Sequence, residues 1–560
     1  MRCAWVLLAV LLAALILLHL FVAPYTKVEE SFHVQAIHDI LAHGFPFGDI
    51  DRHNYDHFEF PGAVPRTAVG AAVLAQLSPK LTTLSLSGVH RQILARAMLG
   101  LYNAFALGFF ARGLWSSFGQ SVAVWYLILQ SSQFHLIYYA SRPLSNMFAF
   151  GMTTIAMRYL LPDTITVSPQ RNGTRSGKVS LVLLTVAGVV FRAELALLVA
   201  CIALSLLLVR RSHFIDVTIA GLIGLSSGLI ITTTIDSIFW KAYVWPELNA
   251  FLFNVVEGQS SAWGTEPFYF YFINALPRLL LNPLTYLLAI PVALYHPALR
   301  RPILPLLAPC MAFVTLYSAQ PHKEWRFIIY IIPILTATAA LGASYLWTRR
   351  DRSIFTRIAS RLLVLSTLAS FFLSNLVLLP ASASNYPGAH ALNALHGHHA
   401  QLSSAGASVY LGNLACQTGV TRFLQNPSAQ GWRYDKTEDQ TTKAMGPFWD
   451  QFDYVVVEAS AEPGFRDSDE MSLQTALPGS RWETAEIVDG FAGISVVRPG
   501  DVASGGAERW ILSRVAGEHA VALYEQLRDM ARKAVLRGWW VEVKTRPRIK
   551  VLKRVREAKA

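Results

Sequence analysis

Residues 3–23, CAWVLLAVLLAALILLHLFVA, form a run of 21 residues whose apolar character only His19 interrupts. About 20 apolar residues suffice for a helix to cross a bilayer. A signal peptide is the alternative, but its apolar core spans only about 7–15 residues, and further apolar runs follow here. We therefore expect a retained first transmembrane helix.

The rest of the chain repeats this pattern. Of its 560 residues, 53 % are hydrophobic and 15 % charged, with a mean hydropathy of +0.37, whereas a soluble domain carries about 25 % charged residues. Disorder, collagen and a secreted disulfide scaffold are excluded. We predict a mainly α, polytopic membrane protein with about eleven transmembrane helices. The further candidate spans are 91–111, 122–140, 144–161, 179–191, 195–209, 217–235, 283–295, 303–319, 327–347 and 362–379.

Basic residues in short loops predict the orientation, because Lys and Arg near span ends stay in the cytosol. They fall in alternate loops, on the side of Arg2: Arg171, Arg175, Lys178, Arg210, Arg211, Arg300, Arg301, Arg349, Arg350, Arg352, Arg357 and Arg361. The loops 24–90 and 236–282, and everything after residue 380, then lie on the opposite side. We expect that side to be the lumen of the endoplasmic reticulum.

Three domains are predicted: a transmembrane domain at 1–380, a small lumenal α/β domain at 381–500 and a basic, amphipathic extension at 501–560. Strand-like segments at 408–414, 454–458 and 493–497 indicate the second domain. Residues 505–537 are helix-like. The basic run 544–556 could bind lipid head groups, bind a partner or be a solvated extension, which is our default expectation.

The net charge of +12 is concentrated at the end of the chain, where residues 501–560 hold 14 Lys and Arg against 7 Asp and Glu. The remainder lacks the basic character of a nucleic-acid-binding protein. The four cysteines show no CxxC spacing, so neither a zinc site nor a disulfide framework is predicted.

Polar residues at loop mouths are the candidates for chemistry, since burying them in hydrocarbon is costly. Glu29 and Glu30 follow the first helix, and helical spacing would put Glu29 and His33 on one face, where a carboxylate could act as a general base. A solvated helix end is the alternative.

Two further clusters follow. QPHKEWR at 320–326 holds cations that suit a phosphate, although side chains that snorkel to the membrane surface are the alternative. The loop 236–278 is rich in Trp and Tyr, which suits sugar stacking as well as an aromatic belt at the interface.

Several strings together carry a resemblance: PYTKVEESF (24–32), YDHFEFPGAVPRT (55–67), RPLSN (142–146), FRAEL (191–195), WPEL (245–248), WGTEPF (263–268), HKEWRFIIY (322–330), NYPG (385–388) and QTGVTRFLQ (417–425). They resemble the dolichyl-phosphate-mannose-dependent mannosyltransferases of glycosyltransferase family 22, in order from about residue 5 to 497. HKE-x-RF is close to diagnostic of the family. PYTKVEESF and YDHFEFPG resemble its α-1,6 branch.

The resemblance implies a GT-C fold and transfer of mannose from dolichyl-phosphate mannose, in α-1,6 linkage, to the seven-mannose dolichyl-pyrophosphate oligosaccharide, with inversion. It implies Glu29 as the base, with Glu30 as the fallback. Candidates facing the donor phosphate are Arg66, His322, Lys323 and Arg326. Candidates facing the acceptor are Asp56, His57, Glu59, Trp245, Glu247 and Trp263. No cofactor is expected, because protein cations can replace a metal beside a single phosphate.

Three alternatives stay open. An α-1,2-mannosyltransferase of the same family would act on a different acceptor. A multi-span transporter would show related halves with corresponding broken helices, and we find none in the sequence. A non-catalytic membrane scaffold would tolerate substitution of every candidate residue.

Overall fold

The computed structural model describes residues 4–78, 88–162, 169–402, 405–426, 430–460, 464–477, 481–502 and 506–555. Its first part is helical: α1 Ala4–Val22, α2 Ser31–His43, α3 Asp56–Glu59, α4 Val69–Leu77, α5 Gly88–Phe118, α6 Gln120–Ser131, α7 Phe134–Tyr139, α8 Ser145–Arg158, α9 Pro169–Val190, α10 Leu195–Leu208, α11 Phe214–Trp240, α12 Pro246–Phe251, α13 Leu276–Leu280, α14 Ile290–Tyr295, α15 Pro297–Tyr317, α16 Ile332–Thr348, α17 Ile354–Phe372 and α18 Leu379–Ala383.

The remaining elements alternate between helix and strand: α19 Pro387–Leu402, β1 Ser408–Leu411, α20 Asn413–Gln417, β2 Arg433–Asp435, α21 Gln440–Lys443, α22 Gly446–Asp450, β3 Tyr454–Glu458, α23 Ser468–Ala476, β4 Arg481–Val497, α24 Gly506–Ala516, α25 Glu518–Ala534 and β5 Trp540–Val555. The chain divides into two compact units, which we describe separately. Among the described residues, unit 1 holds those within 1–20, 39–83 and 94–374, and unit 2 holds those within 21–38, 84–93 and 375–560.

Six helices in the described part of the chain are long and apolar enough to cross a membrane, and a bent pair, Tyr271–Leu280 with Thr285–Tyr295, makes up to seven. Large apolar side chains stay exposed along them, such as Leu7 in α1, Ile230 in α11 and Leu365 in α17. An exposed apolar surface of this extent needs lipid around it. The protein is therefore a multi-pass membrane protein, while the count of about eleven spans stays a prediction.

Two predicted spans are interrupted. The segment 122–140 is two helices, because α6 ends at Ser131 and α7 begins at Phe134. The segment 283–295 is half of the bent pair, whose two parts meet at 112°. Pro277 and Pro291 each follow a π-helical turn in this pair, as expected where a ring without an N–H disturbs the helical hydrogen bonds.

The best-buried span of unit 1 is Trp325–Thr348. It begins within residues 322–326, which we call the HKEWR segment. Of an apolar 18-residue stretch within Trp325–Thr348, 94 % is buried, and the 3-10 turn Trp325–Ile331 leads directly into α16. A helix that is apolar on every side belongs inside a bundle. The interior of unit 1 thus holds α16 in place and fixes the position of the polar residues just before it.

Unit 2 contains a five-stranded sheet of order β2-β1-β3-β5-β4. β2, β1 and β3 are parallel, and β5 is antiparallel to both of its neighbours. The fully buried Trp449 packs in its core with Tyr410 and Leu552.

The basic run is a strand of this sheet, so the expectation of a solvated extension, and a domain boundary at 500, were wrong. Val551 of β5 lies opposite Val456 of β3 on one side and Glu486 of β4 on the other. The basic residues alternate with residues such as Val543 and Ile549, which are buried. Arg556 lies outside the described residues.

The predicted loop 24–90 is also divided, since residues 21–38 belong to unit 2. Tyr25 accepts a hydrogen bond from Asn393 Nδ2 at 2.6 Å, and Gln35 Oε1 accepts one from the backbone N–H of Arg422 at 3.1 Å. The rings of Tyr25 and Tyr386 are 6.4 Å apart between centroids, and the N–H of Gly388 donates to Thr418 Oγ1 at 3.0 Å, so the strings PYTKVEESF, NYPG and QTGVTRFLQ pack together within unit 2. Residues 79–87 of the loop lie outside the described residues.

Candidate functional site

A buried polar network in unit 1 joins residues from four of the quoted strings. Asn146 begins α8, Arg192 and Glu194 form the turn between α9 and α10, Glu247 lies in α12, and Tyr330 precedes α16. We call these five residues the Glu194 network. They are far apart in sequence, so the helix bundle alone brings them together.

Glu194 is the centre of the network and its side chain is only 6 % exposed. Its Oε1 accepts hydrogen bonds from Arg192 Nε at 2.8 Å, Tyr330 Oη at 3.1 Å and Asn146 Nδ2 at 3.3 Å. A buried carboxylate is tolerated only with such partners. The three elements that supply the donors are consequently held in one fixed arrangement.

Glu247 joins the network through the backbone, because its Oε2 accepts the N–H of Ala193 at 2.7 Å. Desolvation raises the pKa of Glu247 to about 8, opposed by the nearby charge of Arg192. Trp245, two residues earlier, donates from Nε1 to the carbonyl of Val189 at 2.9 Å. These two acceptor candidates therefore anchor α12 to the turn that follows α9.

The cations of the HKEWR segment each have a partner. Glu324 Oε1 lies 3.1 Å from His322 Nε2 and accepts from Arg326 Nη2 at 2.7 Å. Arg326 Nε is also paired with Glu324. Two of the five guanidinium N–H groups of Arg326 are thus occupied, and the others can contact an anion.

Lys323 is placed differently, for it is 5 % exposed. Its Nζ donates to three backbone carbonyls: Glu266 at 2.7 Å, Gln320 at 2.5 Å and Pro321 at 3.5 Å. Burial lowers the pKa of its amine. An ammonium group has three N–H bonds, so Lys323 uses all of them to join WGTEPF to the HKEWR segment.

The first-loop candidates of unit 1 form a second polar group. The backbone N–H of Asp56 donates to Asp39 Oδ2 at 2.8 Å. His57 is buried, with its ring stacked on Phe239 at 4.0 Å between centroids. Glu59 is 3.3 Å from His53 at the surface.

Arg66 and Trp263 are exposed. The carbonyl of Arg66 accepts from Trp240 Nε1 at 2.9 Å, while the guanidinium lies at the surface. Trp263 ends the 3-10 turn Gln259–Trp263 and is 61 % exposed. Neither belongs to the Glu194 network, which includes the acceptor candidate Glu247 but not Trp263.

Glu29 and Glu30 lie in unit 2, in the 3-10 turn Val28–Glu30 before α2. Glu30 is buried, and its Oε1 accepts the backbone N–H of Lys27 at 3.2 Å, which is one half of a capping box. Glu29 is exposed. His33 is buried, and that Glu29 and His33 lie on one face of a helix stays a prediction.

Sequence reasoning left Asn146, Arg192, Glu194 and Tyr330 out of the candidate site. All four were inside quoted strings, and a polar residue within an apolar segment was the available signal. Among the described residues, no group of three or more His, Cys, Asp or Glu side chains is placed to hold a metal ion.

Comparison with known proteins identifies the family of this chain. The model of the Alg9-like mannosyltransferase family matches residues 5–425. A relative from Schizosaccharomyces pombe, named a probable Dol-P-Man:Man(7)GlcNAc(2)-PP-Dol alpha-1,6-mannosyltransferase, is 39 % identical, covering 81 % of this chain and 77 % of its own. The Saccharomyces cerevisiae protein named for the same activity is 34 % identical, covering 81 % and 83 %.

Solved structures agree on the fold. The crystal structure of ArnT from Cupriavidus metallidurans bound to undecaprenyl phosphate matches with a TM-score of 0.57 at 14 % identity, covering 87 % of this chain and 97 % of that chain. At this identity the likeness shows the GT-C membrane glycosyltransferase fold alone. Because the family model matches residues 5–425, which is most of the chain, the chain belongs to the Alg9-like mannosyltransferase family.

Proposed function

We propose that this protein transfers mannose from dolichyl-phosphate mannose, in α-1,6 linkage, to Man7GlcNAc2-pyrophosphate-dolichol at the lumenal face of the endoplasmic reticulum. The observation that carries the proposal is the 39 % identity, over 81 % of this chain, to the fission-yeast relative with that name. Two proteins named as α-1,2-mannosyltransferases match only 25 % and 22 % of this chain, so the α-1,2 alternative has narrower support.

The donor is β-linked and the product α-linked, so the reaction inverts the anomeric carbon. A single displacement needs a general base on the acceptor hydroxyl and stabilisation of the departing phosphate, by analogy with inverting glycosidases. We assign the base to Glu29, because its carboxylate is exposed while that of Glu30 is buried at the start of α2. The base takes the hydroxyl proton as the new glycosidic bond forms.

For the phosphate we favour Arg326, His322 and Arg66. Arg326 and His322 are oriented by Glu324, and Arg326 keeps N–H donors for an anion. Lys323 becomes a positioning residue in this scheme, because its three N–H bonds are directed at carbonyls. It would act by fixing the segment that carries the two cations beside it.

We also propose that turnover is independent of metal ions, since protein cations can stabilise a single departing phosphate. Purified protein in detergent should keep its turnover after chelation. Loss of activity that Mn²⁺ restores would overturn this part of the proposal.

The experiment for the function supplies dolichyl-phosphate mannose with acceptors that carry six, seven or eight mannoses. We expect one added mannose on the seven-mannose acceptor alone, removable by an α-1,6-specific and not by an α-1,2-specific mannosidase. Addition to the six- or eight-mannose acceptor would support the α-1,2 alternative. If no glycosidic bond forms while the lipid crosses the membrane of a vesicle, the protein is a transporter.

A further inference from the structure

Unit 2 contains a cavity of about 380 Å³ at one edge of its sheet. It is lined by the segment after β1, the segment after β2 and the end of β3, so it lies at the carboxyl ends of all three parallel strands. We call it the β1–β3 cavity. Its volume is within the range of about 300–1,000 Å³ that small-molecule sites occupy.

The strand order explains why a cavity forms here. The chain leaves β1 toward β2 on one side, and leaves β3 toward β4 on the other. Adjacent parallel strands whose connections depart in opposite directions create a crevice, and ligands of open α/β sheets bind at this switch point. Gly412 follows β1, and a Cβ there would come within 2.8 Å of the Val456 carbonyl, so the two strand ends approach closely.

Buried charged groups build the floor of the cavity. Lys443 Nζ lies 2.9 Å from Asp469 Oδ1, with both side chains less than a tenth exposed. Tyr410 Oη donates to Asp469 Oδ2 at 2.9 Å. These bonds satisfy both carboxylate oxygens and tie α21 and α23 to β1, so the floor is rigid before any ligand enters.

The rim carries hydrogen-bonding groups that suit hydroxyls. It offers the amides of Asn413, Gln417 and Gln440 and the carboxylates of Glu438, Glu458 and Asp467. Amides both donate and accept, while carboxylates accept from O–H groups. Such a mixture matches a ligand whose hydroxyls do both.

Charge narrows the class of ligand. Lys443 is paired with Asp469, so the three rim carboxylates have no opposite charge among the lining residues, and a phosphate would be repelled. A metal ion is disfavoured because the described residues hold no group of three or more His, Cys, Asp or Glu side chains placed to ligate one. A polyol fits the mixture of amides and carboxylates on the rim, and the apolar atoms of Leu414 and Val456 can contact its C–H face.

We propose that the β1–β3 cavity is a carbohydrate-binding site for one pyranose residue. Resting on the proposed function, that residue is a mannose of the acceptor oligosaccharide. The cavity then selects the acceptor through a branch sugar, and the α/β domain contributes to acceptor affinity without taking part in bond formation.

The test uses the full-length protein in detergent and a double variant, Asn413→Ala with Gln440→Ala. Both side chains are exposed on the rim, so folding should be retained, and thermal unfolding checks this. A matched control is Gln451→Ala with Gln526→Ala, two exposed amides of unit 2 outside the cavity. If the double variant fails to fold, Glu438→Gln replaces it.

We expect the rim variant to raise the KM for the seven-mannose acceptor about tenfold at unchanged kcat, because two hydrogen bonds are lost. Saturation transfer from the protein to methyl α-D-mannopyranoside should weaken in parallel, and the control should match wild type in both.

Unchanged KM and unchanged saturation transfer overturn the site while mannose transfer by the wild type upholds the function. Conversely, a protein that transfers no mannose but loses saturation transfer in the rim variant keeps the site and overturns the function. If Ca²⁺ binds the wild type and not the rim variant, the cavity is a cation site and the proposal is wrong.

Discussion

Asn146 Nδ2 lies 2.7 Å from Tyr330 Oη, so a residue at the start of α8 directly contacts the segment that leads into α16. The same amide reaches Glu194 Oε1 and the carbonyl of Arg326, each at 3.3 Å. One side chain thus connects the buried carboxylate to a candidate phosphate-binding residue. It does so within the bundle rather than at its surface.

Replacing Asn146 should disturb both stability and catalysis. Asn146→Ala leaves buried acceptors without a donor, so we expect a loss of about 1–3 kcal/mol in the free energy of unfolding. Because Arg326 also loses a fixed backbone, kcat should fall more than KM for the donor changes. Thermal unfolding in detergent and steady-state kinetics measure the two effects. The comparison variant is Ser145→Ala, and wild-type stability in Asn146→Ala would contradict the network.

Substitutions of Glu29 and Glu30 should have different effects, the first on activity and the second on stability. Glu29→Gln removes the proposed base from an exposed position, so activity should drop by about 10²–10⁴ with unchanged stability. Glu30→Ala removes the bond to the Lys27 N–H, and the loss of such a cap costs about 0.5–2 kcal/mol. Mannose transfer and thermal unfolding distinguish them. More than about a tenth of wild-type activity in Glu29→Gln would move the base to Glu30, since a general base contributes more than that.

Lys323→Met should loosen the segment around Glu266, which Lys323 joins to the HKEWR segment. Its three carbonyl partners lose their donor, and buried acceptors without one cost about 1–3 kcal/mol. We expect a lower unfolding temperature and faster proteolysis of the segment around Glu266, together with a lower kcat. Lys533→Met, at an exposed lysine of α25, is the control. A raised donor KM with no change in stability or proteolysis would instead show that Lys323 contacts the phosphate.

Glu247 makes stability depend on pH. Desolvation raises its pKa to about 8 from an ordinary value of 4.5. Below pH 4.5 Glu247 is protonated in both the folded and the unfolded protein, and its contribution to the free energy of unfolding is complete. Between the two pKa values the unfolded chain has released a proton that the folded protein retains. Stability should therefore fall as pH rises from 4.5 to about 8.

Glu247→Gln mimics the protonated carboxyl and keeps an oxygen for the Ala193 N–H. Its unfolding temperature should decline less than that of the wild type over this pH range. Glu257→Gln, at an exposed acid nearby, should follow the wild type. Parallel curves for all three proteins would show that Glu247 is not protonated in the folded state.

Removing residues 540–560 should unfold the sheet. β5 lies between β3 and β4, and Lys550 Nζ pairs with Glu470 Oε2 of α23 at 2.5 Å. We expect rapid proteolysis of unit 2 and loss of activity, measured in detergent. A truncation of residues 556–560 alone is the control. Full activity and wild-type proteolysis without residues 540–560 would restore the solvated-extension hypothesis.

The sequence predicted several of the apolar helices, because length and hydropathy decide whether a segment can cross a membrane. The span predicted at 217–235 is contained in α11, and the strand at 454–458 agrees with β3. The break after Ser131 falls in the polar run QSSQ at 130–133, and it was missed because the flanking apolar residues together have the length of one span. A local pattern can mark Asn146 or Tyr330 as a polar residue in an apolar segment, but it does not show that the two are partners.

β5 was missed for a different reason. Its even-numbered residues from Lys544 to Lys550 are basic and alternate with Val543, Thr545, Pro547 and Ile549. That period of two predicts a strand, but the high positive charge of the run was interpreted as typical of a solvated segment. The proposed roles of Glu29 and Arg66 depend on the family resemblance, since exposure and spacing alone suit many surface residues.

The position of β5 also has a consequence for biosynthesis. β1, β2 and β3 are complete once residue 458 has been made, yet β3 has an open edge until residues 540–555 arrive to pair with it. An exposed edge strand can pair with other chains, and such non-local pairing is slow. The newly made α/β domain therefore passes through a stage in which its parallel half is formed and its edge is uncovered, and this is where chaperones would be needed most.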